Sequence, residues 1–71
     1  MTSANPVLIH WTEVIRSEYL ESPGLSLTRP QVQRLWGLDP RQCDEVLASL
    51  VSARFLRQTA RAQYVRAESP W

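Results

Sequence analysis

The stretch LTRPQVQRLWGLDPRQCDEVLASLVS, from Leu27 to Ser52, decides the fold because it predicts two helices joined by a tight turn. Thr28 and Gln31 have the spacing of a capping box, in which each side chain bonds the backbone N–H of the other residue. Asp39 and Gln42 repeat that spacing, and a proline follows Asp39 at the first helical position, where its missing N–H costs nothing. The stretch therefore contains two helix starts.

Gly37 lies between the two predicted helices and suits the left-handed position that ends a helix. Each cap is flanked by apolar residues at the spacing of a hydrophobic staple, Leu27 with Val32 and Leu38 with Cys43. A helix, a short turn containing glycine and a second helix together predict a helix-turn-helix.

Both helices have an apolar face that predicts burial. The first carries three such residues, Val32, Leu35 and Trp36. The second is predicted from Pro40 to about Ala53, with a stripe at spacings of three, four and seven: Cys43, Val46, Leu47, Leu50 and Val51. Cys43 is interpreted as a small buried hydrophobe, with a reactive thiol as the minor alternative.

An earlier helix is predicted to begin after Asn5 with proline at its first position and to run to about Glu21. Its apolar residues form one broad stripe: Val7, Leu8, Trp11, Val14, Ile15 and Tyr19. Glu18 falls inside this stripe by angle, so we expect it at the polar end, meeting an arginine from elsewhere. His10 is expected on the surface.

Beyond Ala53 the periodicity changes to two short runs, 55–59 and 63–66, which are rich in aromatic and β-branched residues and predict a β-hairpin. Such short strands are marginal alone, so Leu56 and either Tyr64 or Val65 should lie against the helices. The alternating piece from Leu25 to Leu27 could supply a third strand.

The length of 71 residues allows one domain, which we place at residues 6–66, with a flexible N-terminus at 1–5 and a flexible tail at 67–71. One cysteine and one histidine exclude an internal disulfide and a zinc site made by a single chain. No apolar run approaches the ~20 residues that cross a bilayer, and no secretory signal is recognisable. We expect a cytoplasmic protein without a membrane, metal or cofactor partner.

The net charge of +1 is small but unevenly distributed. The part up to Thr28 has one arginine against three glutamates, and the part from Arg29 onward has seven arginines against four acidic residues. All basic residues are arginine, whose planar fork suits phosphate and carboxylate.

The predicted order of helix, short strand, helix-turn-helix and hairpin resembles a winged helix-turn-helix domain, an α+β fold that is mainly α. The run LxLTxxQxxRLWGLDxxxCxxxLxxLVxxxFLRxTxxxxYVR is similar to small stand-alone winged-helix proteins of bacteria, and the resemblance covers Trp11 to Arg66. Two positions depart from the usual pattern, because Arg54 and Ala62 stand where such domains often have glycine. An arginine in a left-handed conformation would cost about 1 kcal/mol, so we expect the turn at Arg54 to adopt another geometry.

The resemblance implies that the second helix of the pair enters the major groove while the hairpin, or wing, touches the DNA backbone or the minor groove. Carried onto this sequence, the implied positions on the helix are Pro40, Arg41, Gln42, Glu45 and Ser49. Arg41 could bond guanine and Gln42 adenine, although Gln42 also belongs to a capping box. Asp44 and Glu45 would meet phosphates unfavourably unless Glu45 accepts from cytosine.

The hairpin region contains four arginines, Arg54, Arg57, Arg61 and Arg66, and no acidic residue. With short polar donors such as Gln58, these arginines suit contacts to DNA phosphates. They equally suit a solvated edge that keeps open strands from pairing with other chains. The sequence leaves both interpretations open.

Two functions follow from these observations. The resemblance implies a DNA-binding protein acting as a dimer, either a transcriptional regulator or a nucleoid-type accessory factor. The alternative is a protein-interaction module without DNA binding, using the acidic first helix or a tryptophan-bearing surface. The sequence offers no convergent set of nucleophile, acid and base, so we do not expect an enzyme.

Overall fold

Residues 6–67 are described by a computed structural model, and they form three helices and a three-stranded antiparallel sheet. The elements are α1 (Pro6–Glu21), β1 (Leu27–Thr28), α2 (Arg29–Trp36), α3 (Pro40–Ser52), β2 (Leu56–Gln58) and β3 (Gln63–Arg66). The prediction of a small, mainly helical α+β domain is confirmed. The flexible N-terminus predicted at residues 1–5 and all of the tail predicted at 67–71 except Ala67 lie outside the described residues, and Ala67 donates a hydrogen bond to the Phe55 carbonyl.

Both predicted capping boxes are formed. Gln31 donates its N–H to the Thr28 hydroxyl at 3.3 Å, and the Gln31 side-chain oxygen accepts from the Thr28 N–H at 2.8 Å. At the second cap, the Gln42 N–H lies 2.7 Å from the Asp39 carboxylate, which fixes the start of α3. Gly37 has φ 65° and ends α2 in the left-handed conformation, as predicted.

Arg29 joins the first turns of α2 and α3. Its Nε donates to the Asp44 carboxylate, and its Nη2 lies 3.3 Å from the Pro40 carbonyl oxygen. The Cys43 thiol approaches the Arg29 carbonyl at 3.7 Å, so each helix start bonds the other. These contacts fix how the two helices are placed relative to each other.

The core combines α1, α3 and the sheet with single residues from the other segments. Its buried members are Ile15, Tyr19, Val32, Leu38, Cys43, Val46, Leu47, Leu50 and Leu56. The predicted burial of the α3 stripe is confirmed except at Val51, and burial raises the pKa of the Cys43 thiol.

Three residues predicted to face the core are instead exposed: Val7 by 49%, Leu35 by 60% and Val51 by 38%. Leu35 lies beside Leu27 and Gln31 along a shallow groove that, among residues 6–67, only β1 and α2 line. The prediction was wrong at Leu35 because the elements that pack on α2 cover Val32 and leave the neighbouring Leu35 outside the core.

The sheet has the order β1-β3-β2, so β1 and β2 form its two edges. The predicted third strand exists, although it lies at Leu27–Thr28 and shares only Leu27 with the alternating piece. Leu56 is buried and Tyr64 packs against the core, which resolves the choice between Tyr64 and Val65. The Tyr19 hydroxyl donates to the Tyr64 carbonyl oxygen at 2.7 Å and ties α1 to β3.

The expectation that Arg54 would avoid a left-handed conformation is wrong, because its φ is 63°. The Arg54 N–H bonds the Val51 carbonyl and the Phe55 N–H bonds the Leu50 carbonyl, both at 2.9 Å. These two bonds are those of a Schellman motif, and Phe55 and Leu50 supply the apolar contact that accompanies it. The bonds and the packing of Phe55 outweigh the cost of placing a side chain at that φ.

Thr59 organises the loop between β2 and β3. Its carbonyl accepts from the Ala62 N–H at 2.9 Å, and its hydroxyl accepts from the N–H groups of Arg61 and Gln63, both at 3.2 Å. Ala62, with φ 61°, completes a turn in which glycine is the commoner residue. The strand pairing then extends past Arg66, because Ala67 donates to the Phe55 carbonyl at 2.9 Å.

Candidate nucleic-acid interface

The solvent-facing side of α3 is a narrow strip on the side opposite the core. Its exposed members are Arg41, Glu45, Ala48 and Ser52, spaced three or four residues apart. The Arg41 Nε lies 3.7 Å from the Glu45 carboxylate, so the two charges of the strip face each other. We name these four residues the outer strip. Ala48 and Ser52 were not among the predicted groove-facing positions, although their spacing from Arg41 and Glu45 indicates the same face.

Three predicted groove-facing residues of α3 border α1. Gln42 and Glu45 line a recess with Trp11 and Val46, and Ser49 lines a neighbouring groove with Phe55. Gln42 also accepts from the Asp39 N–H at 3.4 Å, which completes its capping box. Of the predicted helix positions, Arg41 and Glu45 remain on the outer strip, while Gln42 and Ser49 flank it.

The acidic residues of α3 are each matched by an arginine. Asp44 bonds Arg29, and this hydrogen bond lowers the pKa of the Asp44 carboxyl below its usual value and raises that of Arg29. Glu45 lies opposite Arg41. The two carboxylates that would oppose DNA binding are therefore locally neutralised, although both remain exposed.

The hairpin carries exposed polar side chains on both faces of the sheet and at its loop. Arg57 pairs with Val65 across the strands, on the face opposite buried Leu56. Gln58 lies on the Leu56 face and lines a shallow groove with Ala48 of α3.

Arg61 is exposed in the loop that follows β2. Arg57 and Arg61 make no ion pair with any carboxylate in residues 6–67. The hairpin thus presents two positive charges that nothing in the described part of the chain neutralises.

Arg66 is set apart from the other hairpin arginines. Its guanidinium carbon lies 4.7 Å from the centre of the Phe55 ring, and its Nε is buried without a hydrogen-bond partner. Arg16 of α1 approaches the same ring at 5.5 Å. This cluster of Arg16, Phe55 and Arg66 joins α1 to the sheet, and no local sequence signal predicts it because its members are far apart in the chain.

Unpaired charges of opposite sign lie mainly on different elements of the described chain. Apart from the capping residue Asp39, the carboxylates without an ion pair in the described range all belong to α1: Glu13, Glu18 and Glu21. Glu18 is exposed and makes no ion pair with an arginine of residues 6–67, contrary to expectation. The unpaired acidic side chains therefore lie mainly on α1, and unpaired arginines lie on the hairpin.

Comparison of the chain with models of protein families, with curated protein sequences and with solved structures gives no match. Within residues 6–67, no group of three or more His, Cys, Asp or Glu side chains is placed to hold a metal ion. The helices in that range are too short or too polar to cross a membrane.

Proposed function

We propose that this chain is a winged-helix protein that binds double-stranded DNA through its hairpin and the outer strip of α3. The observation that carries the proposal is the pair Arg57 and Arg61, exposed on the hairpin without a carboxylate partner in residues 6–67. Phosphate contacts need such arginines, because neutralised phosphates release counterions and that release drives association.

The outer strip suits an approach to the duplex. Ala48 and Ser52 are small and exposed, so the middle of α3 can come close to another surface. The contact between Arg41 and Glu45 is solvent-exposed, and pairs of this kind contribute little to stability. Arg41 can exchange Glu45 for a phosphate or a guanine edge at small cost.

Binding should show little sequence preference. Base discrimination needs several side chains that form bidentate hydrogen bonds to base edges. Gln42 is held in its capping box, and Ala48 makes no hydrogen bond, which leaves Arg41 as the main side chain for base contact. Contacts to the DNA backbone fit an accessory DNA-binding protein better than a site-specific regulator.

The test is fluorescence anisotropy with a labelled duplex of arbitrary sequence, titrated with protein at salt concentrations of about 50 and 200 mM. We expect micromolar binding at the lower salt that weakens steeply at the higher salt, as counterion release requires. A second, unrelated duplex should bind equally well. Failure to bind micromolar duplex at the lower salt would refute the proposal.

Three single substitutions test the position of the surface, since each removes one arginine and changes the net charge equally. Arg57→Ala and Arg61→Ala should weaken binding and each lower the salt slope by about 1. Arg34→Ala removes an exposed arginine of α2, away from the hairpin, and should leave affinity nearly unchanged. An equal loss in all three variants would indicate attraction to net charge rather than a hairpin contact.

A further inference from the structure

Helix α1 carries a second stripe besides the one that packs on the core. Ile9, Glu13, Arg16 and Leu20 follow one another at spacings of four, three and four, so they lie along one side of the helix. All four are exposed, Ile9 by 49% and Leu20 by 51%. The stripe therefore has an apolar residue at each end and opposite charges at its centre.

The order of residues in this stripe is self-complementary. Read from either end of the helix, the four residues have the same spacings. A two-fold axis that passes between Glu13 and Arg16 therefore places each of these residues opposite one of them in the second copy. Ile9 then meets the partner's Leu20, and Glu13 meets the partner's Arg16. Each of these contacts occurs twice, as an isologous interface requires.

We propose that two copies of this chain associate through antiparallel α1 helices along this stripe. The central charges are available for the contact, because Glu13 has no ion pair in residues 6–67. Arg16 lies over the Phe55 ring but has no carboxylate beside it in that range. A parallel arrangement would instead place like charges together.

The surface next to the stripe can receive the partner helix. A groove of about 490 Å³ runs between α1 and the C-terminal end of α3, with Leu50 and Phe55 among its lining residues. Its α3 side carries Ser49 and Ala53, which are small, and Arg54, which is unpaired in the described part of the chain. The partner's Glu13 would enter a region where Arg16 and Arg54 both line the wall.

This interface is distinct from the proposed DNA surface and does not depend on it. It uses one side of α1 and the adjoining groove, whereas the outer strip of α3 and the hairpin loop remain free. Association can therefore be measured without DNA, and failure of either proposal leaves the other intact.

The first test is the mass of the full chain by sedimentation equilibrium from low to high micromolar concentration. We expect a species of twice 8.2 kDa at the upper end of that range. Leu20→Asp should remain folded by circular dichroism, because Leu20 is half exposed, and should sediment as a monomer. Leu35→Asp, on a leucine of α2 that is 60% exposed against 51% for Leu20, is the matched control and should remain dimeric.

Charge exchange tests the register. In Glu13→Arg, positions 13 and 16 are both arginine, so each of the two central contacts brings two positive charges together. In Arg16→Glu both positions are glutamate, and each contact brings two negative charges together. Each variant alone should therefore be monomeric. An equimolar mixture restores both opposite-charge pairs and should form a heterodimer of about twice the monomer mass.

To fix the direction of the helices, one chain carrying Ile9→Cys and another carrying Leu20→Cys are mixed and oxidised. The mixed disulfide should form faster than either homodimeric one. A wild-type chain that stays monomeric, a Leu20→Asp variant that stays dimeric, or a charge-exchange mixture that stays monomeric would each overturn the proposal. Faster homodimeric disulfides would overturn the antiparallel arrangement.

Discussion

Arg54 holds a left-handed backbone position at the end of α3, where a side chain is unfavourable. Its φ of 63° is imposed by the hydrogen bonds that link Arg54 and Phe55 to the last turn of the helix. Glycine adopts this conformation without steric cost. The sequence therefore stores a small local strain at the junction between α3 and the hairpin.

Arg54→Gly should raise the free energy of unfolding relative to Arg54→Ala by about 1 kcal/mol. Both variants lose the charge, so their difference isolates backbone strain. Urea unfolding monitored by circular dichroism measures it. A glycine variant no more stable than the alanine variant would show that Arg54 is not strained.

Ionisation of the Tyr19 hydroxyl makes the free energy of unfolding depend on pH. Burial raises the pKa of its hydroxyl to about 12, above the ordinary value near 10. The folded state therefore holds this proton more tightly than the unfolded state. The resulting stabilisation is complete below pH 10 and should be lost as the pH rises from 10 toward about 12.

Tyr19→Phe removes the ionising hydroxyl, so the free energy of unfolding should fall less steeply above pH 10. The substitution should also cost about 1 kcal/mol at neutral pH, because it removes the hydrogen bond to the Tyr64 carbonyl. Urea unfolding between pH 8 and 11 provides the comparison. Tyr64→Phe keeps the Tyr19 hydroxyl and its backbone acceptor, so it should retain the decline. The pH dependence of the unfolding free energy that remains in Tyr19→Phe is due partly to ionisation of Cys43, since burial also raises the pKa of that thiol.

At the scale of elements, α3 is the helix on which the others pack. Leu47 is 1% exposed, and Leu47→Ala should cost about 2 to 5 kcal/mol because it leaves a cavity in a small core. Val51 lies one turn further along and is 38% exposed, so Val51→Ala should cost much less. Melting temperatures of the two variants test this difference; equal values would contradict the placement of α3.

Helix starts were predictable because their signals are local. Thr28 and Asp39 form their capping boxes with residues three positions away, so no knowledge of the rest of the fold is needed. Exposure of Leu35 and Val51 could not be predicted in the same way. It depends on which neighbouring element covers each face, and periodicity alone does not supply that information.

At the scale of the whole molecule, the two proposed surfaces lie on different elements. The unpaired glutamates of the described chain lie on α1, whereas Arg57 and Arg61 lie on the hairpin. If two copies join along α1, their central charges are used in the contact and both hairpins stay available. Two linked hairpins would give a larger footprint on DNA than the small surface of one chain.

Only part of the candidate interface follows from the sequence. The arginine-rich, acid-free hairpin is evident from composition. The pairing of Asp44 with Arg29 is not, because it depends on how α2 and α3 pack together. The position of Arg66 on Phe55 also requires the tertiary fold, since the face that a strand residue presents depends on its register.

The pairing of β1 with β3 has a consequence for the order of folding. Leu27 lies opposite Tyr64, so this contact joins the ends of the segment that holds α2, α3 and the hairpin. β1 has only two residues and offers few hydrogen bonds to offset the entropy of closing so long a loop. We therefore expect the helix pair and the hairpin to form first, and the closure by β1 to be among the last steps.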